Sequence, residues 1–220
     1  MHNPVNIKTI FKEIRARENG PAIDAMERMG MKYNRNFGVA LSDLKVIANK
    51  YRPNHELAIK LRDKDIRETR ILAEMIEDET KISEKEVDLI VENINTIELV
   101  EQTVINLLEK LNFASKKAAE WIKLDSEFII TTGFVLISRI ALLDKDKEDI
   151  YFKDILKYAK NNSEHTSIFV RKAIARALRQ IALRNIDLKA DVLATCEIIK
   201  NKKSKLSNII FEEVVPLINF

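Results

Sequence analysis

The sequence is poor in the residues that make turns and cross-links, with four glycines, four prolines and one cysteine among 220 residues. Strands and hairpins depend on Gly and Pro at their turns, so this scarcity favours helices joined by short polar loops. Cys196, being alone, excludes a disulfide within the chain and is typical of a reducing compartment. We therefore expect an all-α protein in the cytoplasm.

Other absences narrow the function. No apolar run approaches the roughly 18 residues that a membrane-spanning helix needs. The N-terminal segment lacks the apolar region of a signal peptide and predicts an amphipathic helix capped by Asn3. The glycines stand apart, which excludes a Gly-rich phosphate loop, and no His/Cys cluster has metal-ligand spacing. We expect no metal and no cofactor, and neither a common hydrolase nor a nucleotide-dependent enzyme.

The net charge of +3 hides regions of opposite sign. Residues 1–70 contain 15 Lys and Arg against 9 Asp and Glu, residues 71–110 contain 3 against 11, and residues 160–206 contain 11 against 4. Two basic regions therefore flank an acidic one. A nucleic-acid-binding protein would use the basic ends and turn the acidic middle away, whereas the acidic region would suit a protein partner.

Amphipathic segments follow one another along the chain and predict eleven or twelve helices joined by short loops. Ser83 and Glu86 have the spacing of a capping box. The segment that opens at Asp125 is the most apolar and is predicted to be central. Gly133 in its middle predicts a close approach of another helix, since Gly there costs about 1 kcal/mol relative to Ala. The last segment is interrupted by Pro216.

Successive helices of this kind, with no strand between them, favour a HEAT-type α-solenoid. We expect a right-handed superhelix of antiparallel helix pairs, in which the second helix of each pair lines a concave face. No linker or low-complexity stretch interrupts the chain, so residues 1–220 are interpreted as a single domain. We also expect a monomer.

One segment, IFVRKAIARALRQIALRN at residues 168–185, carries five positive charges and no negative one. As a helix it has an apolar stripe formed by Val170, Ile174, Ala177, Leu178 and Ile181. Lys172, Arg176 and Arg179 cluster on the opposite face, within roughly 60° of each other. Two interpretations are open: a solvated outer face, or a surface that binds phosphate.

Two carboxylates, Glu98 and Glu101, lie one turn apart on the helix that opens at Thr96. They could form a carboxylate-based catalytic site. On general grounds the solvated face of an acidic helix is the favoured interpretation.

Five segments taken in order, between about Ala25 and Lys200, resemble the AlkD-type DNA alkylation repair proteins: NFGVALSDLKVIANKY, HELAIKLRDKDIRETRILAEMIED, NTIELVEQTVINLLEK, DSEFIITTGFVLIS and FVRKAIARALRQIALRN. These proteins are glycosylases built from HEAT-like repeats. The resemblance implies that duplex DNA is held on a basic concave face and that cationic alkylated purines are removed. It also implies that a carboxylate stabilises the oxocarbenium-like sugar, and that the basic helix faces DNA through Lys172 and Arg179. No recognition helix is arranged to reach base edges, so we expect little sequence preference.

The sequence departs from the family pattern at its implied catalytic positions. A Trp followed four residues later by an Asp is replaced by Ile97 and Glu101. An Arg is replaced by Thr131, whose hydroxyl cannot make a bidentate phosphate contact, and a second Trp is replaced by Arg176. The carboxylate survives, one methylene longer, while the other groups change chemical type.

Three hypotheses remain open. The first is a protein that binds duplex DNA and has weak or lost glycosylase activity, and the substituted positions favour it. The second is a working alkylpurine glycosylase that uses Glu101. The third is a HEAT-type scaffold for a protein partner, without a role on DNA.

Overall fold

The computed structural model describes residues 7–218, which form thirteen α-helices and no β-strand. The all-α prediction is confirmed. Short 3-10 helices follow α7 and α10, at Leu108–Lys110 and Asn162–Glu164. The α-helices are α1 (Ile7–Arg15), α2 (Gly20–Arg28), α3 (Leu41–Ala48), α4 (His55–Arg62), α5 (Arg67–Ile76), α6 (Glu84–Glu92), α7 (Ile97–Asn106), α8 (Ala114–Trp121), α9 (Glu127–Leu143), α10 (Asp149–Asn161), α11 (Ile168–Ala182), α12 (Ile186–Asn201) and α13 (Lys205–Ile218).

Local signals in the sequence account for several helix ends. The capping box is confirmed, because the Ser83 main-chain N–H donates to Glu86 Oε2 at 2.9 Å and the Glu86 N–H donates to Ser83 Oγ at 3.3 Å. The predicted Asn3 cap lies outside the described residues. No helix among residues 7–218 is both long and apolar enough to cross a membrane.

Two segments differ from the sequence-based expectation. Helix α2 was not among the helices expected from the sequence. It begins with Gly20 and Pro21, and the Asn19 side chain accepts a hydrogen bond from the Ala22 N–H at 3.1 Å. Pro in the first turn of a helix loses no intrahelical bond, so this Gly-Pro pair starts a helix. The predicted interruption at Pro216 was wrong, since α13 continues through this exposed residue to Ile218.

The chain divides into two compact units. The first unit contains the chain up to Asp88 together with Asn95–Leu111, and the second contains Leu89–Ile94 and the chain from Asn112 onward. The interpretation of residues 1–220 as one domain stays a prediction, as does the handedness of the superhelix.

In the first unit α5 is central, because α3, α4 and α7 all pack against it. Its buried residues include two charged side chains at its start, Arg67 and Glu68. The Arg67 guanidinium donates to both carboxylate oxygens of Glu98 on α7, at 2.8 and 2.6 Å, and to Glu68 Oε1 at 2.8 Å. Glu68 in turn accepts hydrogen bonds from the N–H groups of Phe37 and Val39. This ion network joins α5, α7 and the loop before α3.

The environment of Glu98 favours its charged form. Burial would raise the pKa of Glu98, but the hydrogen bonds and charge of Arg67 and the hydrogen bond from the Tyr33 hydroxyl outweigh it and lower that pKa. Burial, together with the hydrogen bond to Glu98, raises the pKa of Tyr33, which therefore remains a donor. The expectation that Glu98 belongs to a solvated face was wrong.

In the second unit α11 packs between α9 and α13, and these three helices form one layer. Helix α10 packs on α12 in the other layer, and the Tyr151 hydroxyl of α10 donates to the Ser115 carbonyl oxygen of α8 at 3.0 Å. Consecutive helices such as α8 and α9, or α12 and α13, form packed pairs that join the layers. The apolar face of α11 is thus covered on two sides.

Helix α9 is the most buried helix of this unit, as its sequence predicts. A Cβ atom added at Gly133 would lie 2.7 Å from Ile122 Cγ2 and 3.2 Å from the Ala118 carbonyl oxygen. The predicted close approach at Gly133 is therefore confirmed, and α8 is the helix that approaches.

We predict that Gly133→Ala lowers the free energy of unfolding by about 1–3 kcal/mol, because the added methyl group overpacks the contact with α8. Without that contact the same change would stabilise a helix by about 1 kcal/mol. Gly20→Ala is the control, since nothing lies within 4 Å of the Cβ position there. Urea unfolding followed by circular dichroism measures both variants. A Gly133→Ala protein as stable as the parent would contradict the close approach.

We also predict that Glu98→Gln destabilises the first unit by about 3–5 kcal/mol at pH 7, because it leaves the buried Arg67 without its main carboxylate partner. The pKa of Glu98 is lowered in the folded state, so its contribution to stability is present above the unfolded-state pKa and is lost as pH falls through the folded-state pKa. The variant should therefore lose less stability than the parent on acidification.

Glu101→Gln, the same change one turn along α7, is the control. Denaturant unfolding of the three proteins at neutral and acidic pH compares them. Equal effects of the two substitutions at pH 7 would show that the Arg67 network is not important for stability.

Candidate nucleic-acid interface

Helix α11 contains the basic segment that the sequence singled out. It begins after Ser167, whose hydroxyl accepts a hydrogen bond from the Phe169 N–H at 3.1 Å. The predicted apolar stripe is confirmed, since its five residues are all buried: Val170, Ile174, Ala177, Leu178 and Ile181. The exposed part of the helix beyond Ile168 is a narrow strip of one aromatic and several polar side chains.

We name that strip the α11 face, and its members are at least partly exposed: Phe169, Lys172, Arg176, Arg179 and Gln180. At about 100° per residue these side chains span an arc of roughly 100°. The sequence-predicted DNA-binding residues Lys172, Arg176 and Arg179 thus project from one surface of the second unit. Lys172 is the most exposed of the three.

Two of the five cations in this segment stabilise the scaffold instead. Arg171 is buried, and its guanidinium donates to the carbonyl oxygens of His165 and Thr166 just before the helix. Arg184 donates to four carbonyl oxygens at the end of α9 and in the following turn, those of Ala141, Asp144, Lys145 and Lys147. These contacts satisfy carbonyl groups in the loop before α11 and at the end of α9 with its following turn.

Arg179 is both a scaffold residue and a partly exposed cation of the α11 face. Its guanidinium donates to the Glu213 carbonyl oxygen at 2.9 Å and lies 3.6 Å from the Glu213 carboxylate on α13. About a quarter of the side chain stays exposed. Its first role in the fold is therefore to join α11 to α13, and Lys172, the exposed cation of the three, is the strongest candidate for phosphate contact.

An aromatic pair that the sequence interpretation missed lies beside these cations. The rings of Phe128 on α9 and Phe169 on α11 are stacked, with centroids 6.1 Å apart and an angle of 28° between them. Both side chains are partly exposed. The signal available in the sequence was the position of Phe169 one turn before Lys172. Partly exposed rings next to cations are a feature of surfaces that bind nucleic acids with unstacked bases.

The predicted catalytic positions divide between the two units. Ile97 and Glu101 lie one turn apart on α7 of the first unit, and both are partly exposed. Thr131 and Arg176 lie in the second unit, on α9 and α11. Thr131 is fully buried, and its hydroxyl donates to the Glu127 carbonyl oxygen at 2.7 Å. The position thus offers neither a charge nor a free donor to a ligand.

The described residues offer neither a metal centre nor a reactive thiol. No set of three or more His, Cys, Asp or Glu side chains among residues 7–218 could hold a metal ion. Burial, followed by the charge of Glu197, raises the pKa of the Cys196 thiol to about 12, so it is protonated at neutral pH. Among the described residues, the α11 face together with Phe128 is therefore the candidate nucleic-acid interface.

Comparison with known proteins concerns the fold and the family. One solved structure matches over 95% of this chain and 94% of its own, with 22% identity and a TM-score of 0.80. It represents "a new family of proteins related to the HEAT-like repeat DNA glycosylases with affinity for branched DNA structures". This likeness confirms the HEAT-like helical-repeat fold. A designed armadillo repeat protein matches over 81% of this chain and 92% of its own, with 13% identity and a TM-score of 0.41.

A search of the curated proteins found no match. The model of one protein family, described as DNA alkylation repair enzyme, matches residues 10–213, which is nearly the whole chain. The resemblance that the five sequence segments indicated is therefore confirmed, and the chain belongs to the DNA alkylation repair enzyme family.

Proposed function

We propose that this protein binds DNA through the α11 face and has weak or lost glycosylase activity towards cationic alkylated purines. The observation that carries the proposal is that Lys172 and Arg176 share one helix face with Phe169, whose ring stacks on that of Phe128. Cations bind the phosphate backbone of any sequence, so the binding has little sequence preference. A cytoplasmic location and a monomeric state are part of the same proposal.

Branched DNA is the preferred substrate within this proposal. The solved relative has affinity for branched DNA structures. Branch points interrupt base stacking, and bases freed there can stack on aromatic side chains. The partly exposed Phe128–Phe169 pair supplies such an aromatic surface on the same face as the cations. A fully base-paired duplex, whose bases are stacked, would use this aromatic surface less.

The substituted catalytic positions support weak or lost activity. Thr131 stands where the family resemblance implies an arginine, and its hydroxyl is engaged with the Glu127 carbonyl oxygen. Ile97 and Arg176 stand where the resemblance implies tryptophans. Loss of one electrostatic stabiliser from an active site commonly lowers the rate by about 10²–10³-fold. Glu101 is the observation that favours the alternative, an active glycosylase.

The DNA-binding proposal predicts a specific change in salt dependence. Replacing Lys172 and Arg176 together by Ala should reduce the slope of log K against log salt by about 1.8, since each lost phosphate contact contributes about 0.9. Affinity for linear duplex and for a four-way junction should both fall. Fluorescence anisotropy with labelled DNA of each kind, over a series of salt concentrations, measures the effect.

The control is Lys145→Ala with Lys157→Ala, which removes the same charge from exposed positions at and before α10 of the same unit. It should leave the slope close to that of the parent. Equal slopes for parent and for the Lys172/Arg176 variant, or no binding by the parent at moderate salt, would reject the α11 face and favour the protein scaffold.

The activity proposal has its own assay. Incubation with DNA carrying 7-methylguanine or 3-methyladenine should release free base at least about 10²-fold more slowly than an active family member does. Release at the rate of an active member, abolished by Glu101→Gln, would instead establish the glycosylase alternative.

A further inference from the structure

Five large apolar side chains are exposed at one end of the second unit. We name them the apolar end patch: Leu142, Leu143, Ile150, Leu183 and Ile186, which are between 40% and 79% exposed. They come from the end of α9, the start of α10, the end of α11 and the start of α12. Exposed apolar side chains scattered singly need no explanation, whereas a group of them marks an interaction surface.

Hydrogen bonds hold the segments of the apolar end patch together. Arg184 lies between Leu183 and Ile186 in sequence and donates to carbonyl oxygens from Ala141 to Lys147, at the end of α9 and in the turn after it. The Asn185 side chain donates to Asp149 Oδ2 at 2.8 Å. The patch is therefore pre-organised, which lowers the entropic cost of binding.

Acidic groups lie beside one side of this patch, at Ile150. A cleft of about 470 Å³ next to Ile150 is lined by four carboxylates, those of Asp144, Asp146, Glu148 and Asp154, and by one cation, Lys147. The Lys147 ammonium is engaged, since it donates to Ser115 Oγ at 2.8 Å and lies 4.9 Å from the centroid of the Tyr151 ring. With four carboxylates and one ammonium the lining of the cleft has a net charge of −3, and it favours cations even with the Arg184 guanidinium and the exposed Lys145 nearby.

We infer that the apolar end patch and the acidic cleft bind a basic amphipathic segment of a partner protein. Apolar side chains of the segment cover Ile150 and Ile186, and its lysines or arginines lie against the carboxylates of the cleft. A second copy of this chain is disfavoured, because a symmetric dimer would bring the same carboxylates together. An anionic membrane surface is disfavoured for the same electrostatic reason. The inference does not depend on DNA binding.

The probe is a fluorescein-labelled synthetic helix of about 18 residues, with leucines along one face and lysines elsewhere. A second peptide keeps the leucines and replaces the lysines with glutamates. The full chain should bind the lysine peptide, with an affinity that falls as salt rises, and should bind the glutamate peptide at least tenfold more weakly. Equal binding of the two peptides, or binding of neither, would overturn the inference.

Ile150→Ser with Ile186→Ser should weaken binding of the lysine peptide at least tenfold, and both changes lie in first turns of helices, where Ser is well tolerated. Asp146→Asn with Glu148→Gln should weaken it and reduce its salt dependence. Met29→Ser with Leu89→Ser, which removes two exposed apolar side chains elsewhere, should change nothing.

Far-UV circular dichroism and thermal unfolding establish that each variant is folded, and the Ile150/Ile186 variant should keep the parent's affinity for DNA. Two results would reject the inferred partner. One is that the parent sediments as a dimer and the Ile150/Ile186 variant sediments as a monomer. The other is a control variant that loses peptide binding as strongly as the Ile150/Ile186 variant does.

Discussion

The packing of α11 between α9 and α13 decides which of its charges can meet a ligand. Carbonyl oxygens of the segments packed around α11 accept hydrogen bonds from donors within the protein. Arg171, Arg179 and Arg184 supply those donors from the helix and its flanks. A segment with five positive charges therefore projects few of them outward, and Lys172 and Arg176 carry the proposed contact with phosphate.

The first unit uses buried charge in the same way. Arg67, Glu68 and Glu98 are satisfied by each other and by main-chain groups, so their pairing joins two helices and a loop. A buried pair of this kind contributes little net stability, but breaking it is costly because one charge then lacks a partner. Acidic residues in the sequence are thus not equivalent: Glu98 is part of the scaffold, and Glu101 one turn later is the carboxylate that stays a catalytic candidate.

The signals that could be predicted from the sequence are local ones. The Ser83–Glu86 capping box, the Ser167 cap and the apolar stripe of α11 each depend on residues within a few positions of one another. Which arginines bond to carbonyl oxygens within the protein, and which stay exposed, could not be predicted in this way. Arg179 finds its carbonyl partner at Glu213, 34 positions away, and the Glu98 carboxylate finds Arg67 31 positions away.

The sequence alone showed that the implied catalytic positions are substituted. The consequence of each substitution depends on where the fold places the residue. A threonine in place of an arginine could face a ligand, whereas Thr131 is buried and its hydroxyl is engaged within α9. The Phe128–Phe169 pair is the converse case, because only the packing of α9 against α11 brings the two rings together. Family membership sets the fold, and these local differences are the basis of the proposal that the protein binds DNA with weak or lost catalysis.

Protection of individual lysines by DNA tests the central claim most directly. The parent protein is acetylated under limiting reagent, with and without a four-way DNA junction, and each lysine is quantified by mass spectrometry. We predict that DNA strongly slows acetylation of Lys172 on the α11 face and leaves the exposed Lys145 and Lys157 at their rates in the free protein. Equal rates at Lys172 with and without bound DNA would contradict it.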